Sequence, residues 1–164
     1  MSAAPDTLRI RRASPADAPR LAALNRFVHE LHVRHHPERF KPTNDDEVAA
    51  WFAGVVVRAG AAAWIAELGP VPAGYVLVFA NERAETPFTL PRRSWELDQI
   101  AVDPGHRRRG VAKALVEHVL AEARAAGVPD VELTAWAFND EARRTFERLG
   151  FRPMLVRYAR EASG

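Results

Sequence analysis

The sequence contains no cysteine, only two lysines (Lys41 and Lys113) among its 23 basic residues, and no long apolar run. Without cysteine there can be no disulfide, no thiolate-ligated zinc and no thiol nucleophile. That absence fits a cytoplasmic protein. No window approaches the roughly 18 apolar residues of a membrane span. The first residues, MSAAPDTLRIRR, lack the apolar core of a signal peptide. Neither sign of charge dominates: 23 basic and 21 acidic residues leave a formal net charge of +2. A broad basic stripe for nucleic acid is therefore not expected. No repeat and no linker composition interrupts the chain. Its 164 residues, 48% of them hydrophobic, suit one domain spanning 1–164, with loose tails at 1–6 and 161–164 and enough chain to bury a sizeable core.

The periodicities predict an order β α α β β β α β α β. TLRIRRA (7–13) alternates and reads as a strand. SPADAPRLAALNRFVHELHVRHH (14–36) reads as a helix. Ser14 caps it, Pro15 sits in its first turn, and Asp17 follows the cap by three residues. NDDEVAAWFAGVVVRAG (44–60) is a second helix, with Asn44 or Asp45 as cap. Strands follow at 61–68, 73–80 and 94–102, the last after a polar, proline-bearing loop at 81–93. A helix over about 110–126, a strand at 130–137, a capped helix at 139–150 and a strand at 152–160 complete the chain. This order predicts a mixed α/β domain with a mostly antiparallel sheet and about four flanking helices.

Strand 94–102 does not alternate cleanly. Regular pleating places Glu96, Asp98, Ile100 and Val102 on one face, so carboxylates share a face with large aliphatics. A β-bulge near Asp98 or Gln99 shifts the register by one and resolves the conflict. It also splays the strand from a neighbour and frees backbone N–H groups. The strand then runs through DPGHRRRG (103–110) into an apolar helix. Three adjacent arginines suit a nucleic-acid surface, a solvated patch or a phosphate site. Their place between a bulged strand and a helix with small residues favours the last. Arg107, Arg108 and Arg109 can reach phosphate oxygens. Gly110 and Ala112 admit close approach of a ligand to the backbone. The first helical turn, from Val111, offers N–H groups without intrahelical partners and the positive end of the helix dipole.

IAVDPGHRRRGVAKALVEHVLAEA resembles the acetyl-CoA signature of the GCN5-related N-acetyltransferase (GNAT) superfamily, an Arg/Gln-x-x-Gly-x-Gly/Ala pattern after a strand. NDEARRTFERLGF (139–151) is similar to that superfamily's later motif. The two occur in order, and the predicted elements from 7 to 160 agree with that fold. The resemblance implies a sheet with a splayed central strand pair and acetyl-CoA as co-substrate. It places the cofactor against Ile100, Ala101, Val102, Arg107, Arg108, Arg109, Gly110, Val111, Ala112, Asn139 and Phe146. It also implies direct attack by an amine, without an acyl-enzyme.

An amine of pKa about 10.4 lies about 3.4 units from neutrality at pH 7, a cost of roughly 4.6 kcal/mol, so a base is useful. Glu96 is the first candidate, because some members of the superfamily place their base six residues before the position of Val102. Asp98 is the second. Surface carboxylates paired with Arg92 or Arg93 are the plain alternative for both. Many members supply a tyrosine acid seven residues after the motif asparagine, and here that position is Phe146. A non-catalytic acyl-CoA-binding module is therefore the alternative function.

In this fold the first two helices and their loop wall the acceptor side, which singles out His29, His32 and Phe40. Phe88 in the later loop is expected to face the same cleft. His29, His32 and His36 can share one helix face, but no carboxylate pattern accompanies them and no metal is expected. The expected partner is a small-molecule or peptide amine, with no nucleic acid and no membrane, and a homodimer is allowed.

Overall fold

The computed structural model describes residues 7–162, so the tail expected at 1–6 and the last two residues lie outside the described residues. The chain divides into two compact units, Met1–Thr134 and Ala135–Gly164.

The first unit holds a five-stranded sheet in the order β1-β2-β3-β4-β5. The strands are β1 (Leu8–Arg12), β2 (Ala61–Leu68), β3 (Val71–Arg83), β4 (Arg92–Val102) and β5 (Asp130–Leu133). Neighbours from β1 to β4 pair antiparallel, whereas β5 joins β4 in parallel. Three helices accompany them: α1 (Ala18–His35), α2 (Asp45–Val55) and α3 (Val111–Ala125).

Local chemistry sets the helix starts. Asn44 caps α2 by accepting from the Glu47 N–H at 2.8 Å, and three acids fill the first turn beside the positive dipole end. A one-turn 3-10 helix (Pro15–Asp17) precedes α1 and carries the Ser14–Asp17 capping box. The second helix stops at Val55 and not near Gly60, because the chain turns there to enter β2.

The faces of the sheet follow from the pleat. Ala63, Ile65, Tyr75, Leu77 and Ala101 join Leu21, Leu24, Phe52 and Val55 in one core beneath α1 and α2. Gly74, one residue before Tyr75, faces the other way. A Cβ there would lie 3.0 Å from Val111 and 3.4 Å from Leu115, so α3 covers the opposite face. Leu21, Phe52, Ile65, Tyr75 and Leu77 are fully buried. Each contributes about 1.5–3 kcal/mol by leaving water, more than an exposed ion pair such as Lys113–Glu117.

The second unit contains α4 (Asp140–Arg148), capped by Asn139, whose Oδ1 accepts from the Ala142 N–H at 3.1 Å. Two strand expectations change. The strand read at 130–137 ends at Leu133, where its pairing with β4 ends at Leu97. The strand read at 152–160 does not form, and those residues have no regular structure. Met154, Leu155, Val156 and Tyr158 are exposed. Alternation supplies a β pattern, but a strand is held by the neighbour it pairs with and packs on.

Candidate active site

Strand β4 carries the irregularity expected of it. Leu97 pairs with Val78 and Gln99 with Leu77, so Asp98 is the extra residue of a bulge. The consequence for faces is direct. Leu97, Ile100 and Val102 pair with Val78, Val76 and Gly74, on the α3 side. Glu96, Gln99 and Ala101 pair with Phe79, Leu77 and Tyr75, on the α1/α2 side. The bulge thus moves Ile100 and Val102 away from Glu96, and aliphatic and polar side chains sort to opposite faces.

The bulge also marks where the sheet opens. The parallel register with β5 runs from Ser94 to Leu97 and stops. Beyond it, among the described residues, no strand pairs with the β5-side edge of Asp98–Val102. Backbone groups of Ile100, Ala101 and Val102 are therefore available on that edge.

The chain then enters a tight loop. The Asp103 N–H donates to the Ala73 carbonyl at 2.8 Å, tying the loop to β3. Asp103 Oδ1 accepts from the Gly105 N–H at 2.8 Å and lies 3.0 Å from His106 Nδ1. Arg107, Arg108 and Arg109 are exposed. Arg108 has φ +62, a left-handed conformation unusual for a residue with a Cβ. Gly110 caps α3 at φ +77 and ψ 9, and a Cβ added there would meet nothing within 4 Å. Val111 turns into the core at 2% exposure, so the first-turn N–H groups from Gly110 to Ala112 open beside the arginines. Three cations, a helix N-terminus and an open glycine suit a pyrophosphate.

Neither Glu96 nor Asp98 pairs with Arg92 or Arg93. Arg92 pairs with Asp130 and Glu132, and Arg93 with Glu82. Glu96 accepts from Asn81 Nδ2 at 3.2 Å. Asp98 has an exposed surface, yet partial burial and then the Glu96 charge raise its carboxyl above the usual carboxylate range; a Gln99 hydrogen bond and the Arg58 charge oppose this.

A part-buried polar chain that sequence reading missed adjoins the bulge. The Tyr75 hydroxyl donates to Gln99 Oε1 at 2.7 Å, and Asn25 Nδ2 donates to the Tyr75 oxygen at 2.8 Å and to Gln99 Oε1 at 3.3 Å. Tyr75 is fully buried, and burial pushes its phenol well above its ordinary pKa. The available signals were a lone tyrosine in the apolar run AGYVLVFA and a glutamine inside a core strand.

Beyond the end of α1, Phe40 stacks on His32 of that helix with ring centres 5.0 Å apart and meets His29 edge-on at 6.2 Å. Burial, then the charges of His29 and His36, lower the His32 pKa. His29 Nε2 lies 2.8 Å from the Lys41 carbonyl oxygen, and His36 Nδ1 lies 2.9 Å from Glu38. Among the described residues no group of three His, Asp or Glu side chains is placed to hold a metal ion. A groove of about 280 Å³ runs between α1 and the segment before α2, lined by Asn25, Arg26, His29, Glu30 and Asp45 among others. His29 thus lines the groove, whereas His32 and Phe40 pack on each other outside its lining. Phe88 stands 94% exposed on a turn closed by two Thr86–Thr89 backbone hydrogen bonds. In the second unit, Phe146 meets Phe151 edge-on at 6.1 Å.

Comparison with known proteins meets this geometry from outside. Over 61 residues the chain is 39% identical to a [ribosomal protein bS18]-alanine N-acetyltransferase of Escherichia coli (strain K12), covering 37% of this chain and 41% of that one. Over 61 residues it is 41% identical to a mycothiol acetyltransferase of Beutenbergia cavernae, covering 37% and 20% of the two chains. The chain thus spans well under two thirds of these relatives' own length. Among solved structures, a tetramutant of a Bacillus halodurans protein superposes with a TM-score of 0.88 at 21% identity, over 93% of this chain and 99% of that one. An aminoglycoside N-acetyltransferase in complex with CoA superposes at 0.77 and 19% identity, over 99% of each chain. These last two show the fold. The family model for acetyltransferases of the GNAT type matches residues 25–151, a stretch that takes in the bulged strand, the arginine loop and α3, and on that match the chain belongs to the acetyltransferase (GNAT) family.

Proposed function

We propose that this chain is an acetyl-CoA-dependent N-acetyltransferase that passes an acetyl group directly to a primary amine of a small molecule or a protein. One observation carries the reading. The bulge at Asp98 ends the pairing of β4 with β5 and leaves a strand edge open, directly before a loop with three arginines and the left-handed Gly110 at the start of α3. The α3 N-terminus and Arg107–Arg109 bind the pyrophosphate of acetyl-CoA. The open edge at Ile100–Val102 receives the thioester end and donates an N–H to the oxyanion that forms.

The chemistry asks for a neutral amine. Its nitrogen attacks the thioester carbon, the C–S bond breaks, and the amine gives up a proton. Glu96 is the first candidate for the base that takes it, directly or through water, and Asp98 the second. The acceptor enters by the groove along α1, whose lining carries Glu30 and Asp45 beside Arg26 and Arg34. The family resemblance assigns a cofactor-binding role to Asn139 and Phe146 of the second unit as well.

A second reading, a non-catalytic acyl-CoA-binding module, is favoured by Phe146, which has no proton to give at the family's tyrosine position. A thiol of pKa about 8.5 leaves as thiolate without an acid, so the first reading is retained. Free thiol release from acetyl-CoA, measured across an amine panel, separates the two. Amine-dependent release supports the transferase. CoA binding without release for any amine replaces it with the binding module.

A further inference from the structure

The groove along α1 takes that wall from one stripe of the helix, with Asn25 and Arg26 at consecutive positions and Glu30 and Arg34 further on. The facing loop is tied to the stripe at two points. His29 Nε2 lies 2.8 Å from the Lys41 carbonyl oxygen, and the Arg26 guanidinium grips the Asp45 carboxylate. Two arginines and two carboxylates line the groove, so its fixed charges balance. A ligand with charge of a single sign would meet as much repulsion as attraction.

Asn25 ties the groove to the bulged strand. Its Nδ2 uses both hydrogens, on the Tyr75 oxygen at 2.8 Å and on Gln99 Oε1 at 3.3 Å, and Gln99 directly follows the bulge residue Asp98. Tyr75 donates to the same Gln99 oxygen at 2.7 Å. With Gln99 Oε1 committed as an acceptor, only the N–H side of the Asn25 amide can face it. Oδ1 therefore points away. It makes no hydrogen bond among the described residues, where the buried side-chain atom without a partner is His118 Nε2, so Oδ1 is reachable from the groove that Asn25 lines.

Arg26 offers the complementary group. Its Nε and Nη2 donate to the two oxygens of Asp45, which leaves the Nη1 donors of the fork. Asp45 stands in the first turn of α2, where the helix dipole already favours its charge. The pair is half-exposed and adds little to stability; its effect is to hold the fork in one orientation.

We propose that Asn25 and Arg26 form a two-point clamp for an acceptor that carries an amine and a carboxylate a few atoms apart, an amino acid. Oδ1 takes an N–H of the nitrogen, and Nη1 takes the carboxylate in a charge-assisted bond. The proposal rests on the transferase reading for turnover but not for binding. Through Asn25 and Gln99 the nitrogen is joined to the strand whose open edge receives the thioester. There the C–N bond forms as the C–S bond breaks, the nitrogen's proton passes to the base, and the sulfur leaves as thiolate.

The experiment compares L-amino acids with their carboxamides, a peptide amide, spermidine and an aminoglycoside, in wild type, Arg26→Gln and Arg26→Lys. Turnover is read as thiol release from acetyl-CoA. Binding is read from the Asn25 side-chain amide signals in nitrogen–proton NMR during titration with the same compounds. Wild type should use at least one amino acid with kcat/KM roughly 10- to 150-fold above that of its carboxamide, as expected for one charge-assisted hydrogen bond. Arg26→Gln should level the two with KM for acetyl-CoA unchanged. Arg26→Lys, which keeps the charge but not the fork, should restore part of the preference. Equal use of acid and carboxamide, a preference that survives Arg26→Gln, or faster turnover of the peptide amide, spermidine or the aminoglycoside overturns the proposal. If no amine of any kind releases thiol, the transferase reading fails and the NMR arm decides alone. Carboxylate-dependent shifts of Asn25 that vanish in Arg26→Gln then uphold the clamp, and unmoved Asn25 signals overturn it.

Discussion

Gly110 separates two reasons for being glycine, and a substitution series distinguishes them. The residue sits at φ +77 and ψ 9 as the cap of α3, and an added Cβ would meet no atom of the protein within 4 Å. In the free protein the only penalty of a side chain is therefore backbone strain. For an L-residue in the left-handed region that is about 1–2 kcal/mol, and less for asparagine. A chain of this size loses about 2–4 °C of Tm per kcal/mol. Gly110→Ala should thus lower Tm by roughly 2–8 °C, and Gly110→Asn by less. Ligand binding should respond differently. The open space that receives the Cβ is the space in which phosphates would approach the first-turn N–H groups. Each charge-assisted hydrogen bond displaced there is worth about 1.5–3 kcal/mol, or roughly 10- to 150-fold in Kd. Gly110→Glu adds like charge against the pyrophosphate and should abolish binding. Calorimetric titration with CoA, alongside thermal melts without ligand, reads both effects. If a folded Gly110→Glu variant bound CoA as tightly as wild type, the anion site would not be at α3. If Gly110→Ala lost only stability, glycine would be needed there for its φ alone.

Three further expectations follow from the same geometry. Gly74→Ala puts a Cβ 2.8 Å from the Ala101 carbonyl oxygen and 3.0 Å from Val111. A backbone oxygen in a paired strand cannot step aside, so urea unfolding should show a loss of about 1–3 kcal/mol, and wild-type stability would contradict the close approach of β3 to β4 and α3. Asp17 is 3% exposed and accepts from Arg11 Nη1 and Nη2 at 2.9 and 2.7 Å, from Arg20 at 3.1 Å and from the Ser14 N–H at 2.9 Å. The Arg11 bonds hold its carboxyl well below the ordinary carboxylate range. Its stabilisation is therefore fully present above the unfolded value of about 3.9 and drains away as pH falls below it. Asp17→Asn should cost about 1–3 kcal/mol near neutrality and flatten the acid limb of the stability curve, and an unchanged acid limb would remove Asp17 from that role. Glu96→Gln should lower kcat mainly below the amine pKa and recover at high pH, whereas an equal loss at every pH would assign Glu96 to structure or binding.

Local chemistry was legible in the sequence where a few neighbouring residues decide the outcome. The Ser14–Asp17 capping box, the caps at Asn44 and Asn139, and Gly110 before an apolar helix each involve a short stretch of backbone. The bulge was legible for a related reason. Period-2 alternation cannot hold Glu96 and Ile100 on one buried face, so WELDQIAV announces its own irregularity. Tertiary structure decided what depends on distant partners. The segment 152–160 alternates as a strand should, yet forms none, because alternation does not supply a neighbour. The strand from Asp130 stops at Leu133, because the bulge at Asp98 carries β4 out of reach. Phe40 settled on His32 and His29, partners that the local sequence does not specify. The Asn25–Tyr75–Gln99 chain links residues 50 and 24 positions apart, and only the pleat of β3 against β4, with α1 laid across them, brings those three polar groups together.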